Sequence, residues 1–281
     1  MFRGSQQVPF AVVMDSRTPP IITVAASKGG VGKTTLAYEL AAALRGVLVD
    51  LDWDSGGAST MWGDENFASR RRSLATEAFI TAAGQSVPVP RPLRGSPLRP
   101  DLVPADPRMA YITNLDHEQT HQVALRLAQW AQAWKRPVII DTHPGTVAMA
   151  DAAMAVANLI VVPLVLGRRE VDAMAGFLQE RAASFPMLLV PMKWRPTQDA
   201  QPLFREVMAL VKMHNLTVAP QIRRWDWLAL RSLHAALVLS SFAEGSDRWR
   251  AAEEFRNVAR AVVAYLTQLS SKQIIPLEGA S

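Results

Sequence analysis

Cysteine is absent from all 281 residues. That removes thiol nucleophiles, disulfide bridges and cysteine-ligated iron–sulfur clusters from the chemistries open to the chain. Missing too is any run of about eighteen apolar residues, so no membrane-spanning helix is expected. The first twenty residues mix polar residues with proline and carry no apolar h-region, so no secretory signal is expected. Acids are the minority among the charges: 25 Asp and Glu stand against 30 Lys and Arg, a formal net charge of +5. A basic balance favours nucleic acid or another anionic surface as partner. What is present, 49% hydrophobic and 20% charged residues, suffices for one sizeable α/β domain and is short for two.

The stretch Ser27-Lys28-Gly29-Gly30-Val31-Gly32-Lys33-Thr34-Thr35 organises the rest. The apolar run Ile21-Ile22-Thr23-Val24-Ala25-Ala26 leads into it as a buried strand. Leu36, Leu40 and Leu44, closed by Gly46, lead out of it as a helix. Strand, glycine loop, Lys-Thr, helix is the layout of a phosphate-binding loop. The glycines let backbone N–H groups converge on phosphate oxygens, and the helix N-terminus adds partial positive charge. Lys33 can reach the β- and γ-phosphates, and the Thr34 hydroxyl can hold Mg²⁺. The candidate nucleotide-binding set is therefore Gly29, Gly30, Val31, Gly32, Lys33, Thr34 and Thr35. Two features depart from the standard pattern: Ser27 replaces a glycine, and Lys28 is a second lysine. Two lysines around one triphosphate suggest that one acts in cis and the other does something else.

Acids close two further apolar runs. Gly46-Val47-Leu48-Val49-Asp50-Leu51-Asp52 reads as a buried strand, followed by a turn through Trp53-Asp54-Ser55-Gly56-Gly57-Ala58. Pro137-Val138-Ile139-Ile140-Asp141-Thr142-His143-Pro144-Gly145 repeats the arrangement, with Asp141 as the expected Walker B acid beside Mg²⁺. Strand C-terminal ends are where ligands sit in open α/β sheets.

The string at residues 28–35 resembles the deviant Walker A motif of the ParA/MinD family of ATPases, and the resemblance extends over residues 21–269. The missing cysteines exclude that superfamily's nitrogenase iron-protein branch. The resemblance implies that Lys28 crosses a dimer interface to the partner subunit's nucleotide. Asp50 and Asp52 fall on the two acids of the family's Asp-x-Asp-Pro-Gln-Gly-Asn stretch. By resemblance, the catalytic set is Lys28, Lys33 and Asp52, with Asp52 positioning the attacking water. The metal set is Thr34, Asp50 and Asp141. Trp53 and His143 each stand where the family has proline, and His143 is read as a turn residue.

Along the rest of the chain, residues 1–20 read as a short arm, and no helix-turn-helix domain is expected in front. Residues 67–84 are helix-compatible, with Arg70, Arg71 and Arg72 on a solvated face. Seven prolines make 87–107 an extended connector, with strand character only at Leu102 and Val103. Helices are expected at 118–134, 149–157, 170–183 and 201–213, and strands at 159–164, 187–192 and 216–222. The end of 187–192 faces the base in the family, yet no polar base-reading residue is evident there. A closing helix at 249–269 and a tail at 270–281 complete a single domain over 21–269. The alternation gives an α/β fold with a mostly parallel twisted sheet, helices on both faces and a deviant Walker P-loop.

Basic residues recur after two late strands, in Lys193-Trp194-Arg195 and in Gln221-Ile222-Arg223-Arg224-Trp225-Asp226-Trp227. Family members without a front domain hold nonspecific DNA there. The resemblance thus implies a DNA-binding set of Lys193, Arg195, Arg223, Arg224 and Arg231. MinD-like relatives end in a membrane-binding helix. Here the closing helix mixes Glu253, Glu254, Arg256 and Arg260 on its polar face, which favours a core-covering role and disfavours a membrane partner. The implied function is an ATPase for plasmid or chromosome partition, slow without its partner, using ATP and Mg²⁺. It would form a homodimer on ATP binding, sit on nonspecific DNA in the cytoplasm at the nucleoid, and be stimulated by a ParB-like centromere-binding protein. The alternatives are a MinD-like membrane-surface regulator and a ParA-like positioner of a protein cargo.

Overall fold

Runs of apolar residues with no polar alternation need cover on both faces, and the chain arranges them so. In the computed structural model, which describes residues 18–53, 57–62, 79, 89–105, 107–112, 115–145, 147–195, 197–230 and 235–272, seven strands form one sheet. They are β1 (Ile21–Val24), β2 (Val47–Leu51), β3 (Asp101–Val103), β4 (Val138–Thr142), β5 (Leu159–Leu164), β6 (Met187–Pro191) and β7 (Thr217–Val218). Every residue of β1, β2, β4, β5 and β6 is buried. The spatial order is β3-β2-β4-β1-β5-β6-β7 and every pairing is parallel, so the expected mostly parallel sheet is wholly parallel here.

Alternate strand residues feed separate cores. Ile22, Val24, Leu48, Ile139, Leu159, Val161 and Leu188 pack against α1 (Lys33–Ala43) and α7 (Asp247–Lys272). Ile21, Val47, Val49, Val138 and Ile140 face α3 (His117–Trp134) and α4 (Ala148–Ala155). Ile160, Val162 and Leu189 meet α5 (Arg168–Arg181) and α6 (Gln201–Met213). The start of α3 is fixed by a reciprocal cap: Asp116 accepts from the Gln119 N–H while Gln119 accepts from the Asp116 N–H. Glu39 of α1, 2% exposed, accepts the N–H groups of Leu237 and Val238 at 2.9 and 3.1 Å, so a buried carboxylate ties α1 to the segment before α7.

The closing helix covers the core. Ala251, Ala252, Phe255, Val258 and Val262 of α7 are buried beside α1. Burying Phe255, Val258 and Val262 stabilises the fold by roughly 1.5–3 kcal/mol each, and the face a membrane would need is used inside. No helix among the described residues is long and apolar enough to cross a membrane.

Three local expectations change. The expected strand at 216–222 shrinks to Thr217–Val218. Pro220 has no N–H to continue the ladder; single bonds from Ala219 N to Leu189 O and from Ile222 N to Pro191 O carry the chain on to a bridge between Trp194 and Arg223. The turn expected through residue 58 gives way to a short helix, α2 (Ala58–Trp62). The proline-rich connector doubles back on edge strand β3 through an antiparallel bridge between Leu93 and Leu102. Of the expected helix at 67–84 only Phe79 is described, stacked on Trp130 with centroids 5.0 Å apart; Arg70, Arg71 and Arg72 lie outside the described residues, as do residues 1–17 and the tail from 273.

Candidate nucleotide site

The sheet order builds the site. β4 lies between β2 and β1, in a register that places Asp50 opposite Asp141 and Val24 opposite Asp141. Two acids far apart in sequence thus stand side by side where the loop after β1 begins. Between β1 and α1 the chain turns through Gly32 at φ 99, a left-handed conformation that a side chain would strain; a Cβ there would also come within 2.9 Å of Met192 Cε. Gly32 accepts the first helical bond, from Leu36 N at 3.0 Å, so the N–H groups of the first turn face the loop. Ser27, the departure from glycine, donates to the Ala173 carbonyl on α5 at 2.9 Å, which anchors the start of the loop.

Lys33 is only 5% exposed, and its ammonium reaches back to the Lys28 carbonyl at 3.4 Å. Burial pulls its pKa below the usual lysine value, while the charges of Asp141 and Asp52 push it back up. Lys28 points elsewhere: its ammonium pairs with Glu170 at the start of α5. The two lysines of the motif are therefore divided, one on its own site and one outside it.

Asp141 is fully buried, and among the described residues no group donates to either carboxylate oxygen in the geometry of a made hydrogen bond. Burial drives its pKa well above the carboxylate range and neighbouring Asp50 adds to this; the nearby Thr34 hydroxyl and Lys33 pull the other way. Asp50 is equally buried but satisfied, accepting from Ser59 N at 2.6 Å, Ser59 Oγ at 2.5 Å and Asp52 N at 3.0 Å. Gly57 makes room for it, since a Cβ there would sit 2.5 Å from the Asp52 carbonyl and 3.0 Å from Asp50 Oδ2. Asp52 is 8% exposed and follows directly on β2.

Three buried carboxylates against one buried lysine leave a surplus of negative charge. A divalent cation would offset that surplus. No group of three His, Cys, Asp or Glu side chains among the described residues is arranged to hold a metal unaided. The donor set instead suits Mg²⁺, which takes one or two carboxylates, a hydroxyl, water and phosphate oxygens. Asp141, with two unpaired oxygens beside Thr34, fits that role, while Asp50 keeps one lone pair on Oδ1 beyond those Ser59 and Asp52 use.

Burial pushes Asp50 up to about 6 from an unfolded value of 3.8. A raised acid pKa means that the native state holds the extra proton, so its stabilisation is complete below the unfolded value and lost as pH rises through the folded one. Asp141 shifts in the same direction. The melting temperature of the metal- and nucleotide-free protein is therefore expected to fall as pH rises through about 6. A scanning-fluorimetry pH series that stays level or climbs there would contradict it.

The two proline replacements meet each other. Trp53 and His143 stack with centroids 4.0 Å apart and rings 2° from parallel, joining the segment after β2 to the one after β4. Ser59 and Glu170 were missed by sequence reasoning. Ser59 lies in the first turn of α2 without a motif to mark it, and the only trace of Glu170 was an acid opening a helix.

The expected DNA-binding residues divide. Lys193 is brought to the phosphate loop, its ammonium 2.7 Å from the Gly30 carbonyl. Arg195 and Arg224 share Asp226 at 3.0 and 2.6 Å, and Arg223 pairs with Glu254 while lying over the Trp225 ring at 4.8 Å. All three arginines are about half exposed, at 55%, 51% and 46% in the order Arg195, Arg224, Arg223. Arg231 lies outside the described residues.

Residues 20–181 match the family model described as AAA domain. No curated protein matches the chain in sequence. Among solved structures, a putative plasmid partition protein from Borrelia burgdorferi bound to AMPPNP is 18% identical with a TM-score of 0.60, covering 91% of this chain and 100% of that one. An ATP complex of a McdA variant from Cyanothece is 14% identical with a TM-score of 0.63, covering 90% and 98%. Cobyrinic acid a,c-diamide synthase from Mycobacterium smegmatis, with ADP and magnesium, is 20% identical with a TM-score of 0.63, covering 89% and 96%. These neighbours share a fold and differ in reaction, so fold alone does not fix the function. With the family model spanning residues 20–181 and the doubled lysine standing at the phosphate loop, the chain belongs to the AAA-domain family and has the deviant Walker P-loop fold of the ParA/MinD ATPases.

Proposed function

We propose that this chain is a partition-type ATPase that binds ATP and Mg²⁺, dimerises on the nucleotide and holds nonspecific DNA as a dimer. The observation that carries the reading is the division of the two lysines, Lys33 buried among the acids and Lys28 outside them on Glu170. A lysine in the loop that does not serve its own site is free to serve another. The Lys28–Glu170 pair is 35% and 26% exposed, and such partly exposed pairs contribute only about 0.2–1 kcal/mol. A neighbouring subunit's triphosphate can outcompete that.

The chemistry that Mg²⁺ would supply here is neutralisation of negative charge on the phosphates. The chain's own residues do the rest. Thr34 and Asp141 would hold the metal, with Asp50 in support. Lys33 and the loop N–H groups take the phosphates. Asp52 orients the attacking water at the end of β2, and the Asp50–Ser59 bonds keep that strand end in place. The stack between Trp53 and His143 ties the segment after β2 to the one after β4.

Arg195, Arg223 and Arg224 are the phosphate contacts for DNA, each needing to exchange Asp226 or Glu254 for a backbone phosphate. A ParB-like protein would stimulate hydrolysis, and the cargo would be DNA placed at the nucleoid. A protein cargo is the second reading, favoured by the fold shared with McdA; the membrane reading loses its helix face to the core.

Fluorescence anisotropy on two unrelated duplexes, with light scattering on the same samples, tests the proposal. With ATP the wild type is expected to dimerise and to bind both duplexes alike. Lys28→Ala should keep nucleotide but lose the dimer and the DNA. Arg224→Ala should flatten the log–log salt slope by about one unit per lost contact. An ATP-dependent dimer that ignores both duplexes would remove DNA as the partner, and an unchanged dimer in Lys28→Ala would end the trans role.

A further inference from the structure

Among the described residues, four that are not glycine adopt left-handed backbone: Arg45 at φ 51, Lys135 at 52, Lys193 at 52 and Asn215 at 50. Three of them have an ordinary reason. Arg45, Lys135 and Asn215 stand just past α1, α3 and α6, where this conformation closes the last helical turn. Lys193 closes no helix. It follows β6, and it costs backbone energy that nothing local returns.

The surroundings hold it there. Met192 N donates to Leu164 O at 2.6 Å, continuing the sheet up to the residue before. Trp194 N donates to Ile222 O at 2.9 Å and Trp194 O accepts from Arg224 N at 3.1 Å, fixing the residue after. The turn between them sends the lysine side chain to the Gly30 carbonyl, 2.7 Å away, while Met192 lies against Gly32. The end of β6 thus touches the phosphate loop at both of these glycines. The peptide joining Gly30 to Val31 is planar and trans, so its C=O and N–H point in opposite directions. A cation that fixes the Gly30 carbonyl outward also fixes the Val31 N–H inward.

We propose that Lys193 is a nucleotide-positioning residue: its ammonium sets the Gly30–Val31 peptide so that the Val31 N–H is aimed at the phosphates before they arrive. This deepens the ATPase reading and rests on it, and it gives Lys193 a task at the loop in place of one on DNA. Because the ammonium is spent on the Gly30 carbonyl, ATP and ADP should depend on it equally. A point charge is needed at the carbonyl, so arginine should substitute and methionine, of similar length, should not.

The test compares wild type, Lys193→Met and Lys193→Arg in full-length protein, using fluorescent ATP and ADP analogues, the nucleotide-free melting temperature and duplex-DNA anisotropy. Lys193→Met is expected to weaken both nucleotides about tenfold, the scale of one charge-assisted hydrogen bond. Its nucleotide-free melting temperature should stay at the wild-type value, and Lys193→Arg should restore most of the affinity. Unchanged affinity for both nucleotides in Lys193→Met overturns the proposal. So does a nucleotide loss that comes with a lower melting temperature and no rescue by arginine, since that is a folding role. Loss of DNA with nucleotide affinity kept returns Lys193 to the DNA set and overturns it as well. The readings fail separately: wild type that binds nucleotide but no DNA ends the partition reading and leaves the Lys193 test standing, whereas wild type that binds neither analogue ends both.

Discussion

Lys33→Ala is expected to weaken ATP on the order of 10²–10³-fold in a fluorescent-nucleotide titration, the scale of removing one partner from a buried ionic contact. The side chain is 5% exposed and is the cation that Asp141 and Asp52 hold within the site. Without it a triphosphate would arrive against three buried carboxylates and no buried lysine. Lys28 does not supply the missing charge, because it lies outside this pocket, with its ammonium on Glu170 across the loop. Lys193 cannot either, since its ammonium is committed to the Gly30 carbonyl. Lys33→Met, which keeps the volume, should lose as much and so assign the effect to charge rather than to a cavity. Wild-type affinity in either variant would mean that this loop does not bind the phosphates.

Asp141→Asn should move stability and activity in opposite directions. The carboxylate is fully buried, its oxygens are unpaired, and burial and Asp50 both penalise its charge. An amide of the same shape removes that charge and can donate toward Asp50. The gain is reduced, because Lys33 loses a favourable neighbour. The nucleotide- and metal-free melting temperature is nonetheless expected to rise, by the equivalent of about 1–3 kcal/mol, the penalty of a buried polar group without its partner. Mg²⁺-dependent hydrolysis should fall by at least about 10²-fold, the scale of removing one electrostatic group from a transition state. This is the trade between stability and activity common at strained sites. Scanning fluorimetry beside phosphate release measures both, and a variant that melts lower without nucleotide would show that Asp141 is satisfied in the free protein.

The Trp53–His143 contact shows how two local departures form one feature. In sequence they are separate substitutions for proline, on loops far apart along the chain. In the structure both follow strand ends that neighbour each other, β2 and β4, and their rings lie 4.0 Å apart. A flat stacked pair thus joins the two segments at the positions where the family pattern has two prolines.

Local pattern determined the elements and the loop. Buried strands read as unbroken apolar runs because both faces are covered, and the phosphate loop reads as a string because its chemistry is carried by adjacent residues. The places of Lys33 and Thr34 at the start of a helix and of Asp50 and Asp141 near strand ends were legible for that reason, and so was the core face of the closing helix. Strand order was not, because a parallel crossover can return on either side of its neighbour; only the packed sheet sets β4 between β1 and β2 and so brings Asp141 against Asp50. The last strand was overread, since apolar residues around Pro220 look like a strand until the ladder needs the missing N–H. Side-chain partners were the least legible. A basic run in sequence gives no sign that Arg195 and Arg224 share Asp226, that Lys28 rests on Glu170, or that Lys193 turns left-handed to reach Gly30. Charges choose partners by distance in space, and those distances exist only after the sheet has closed.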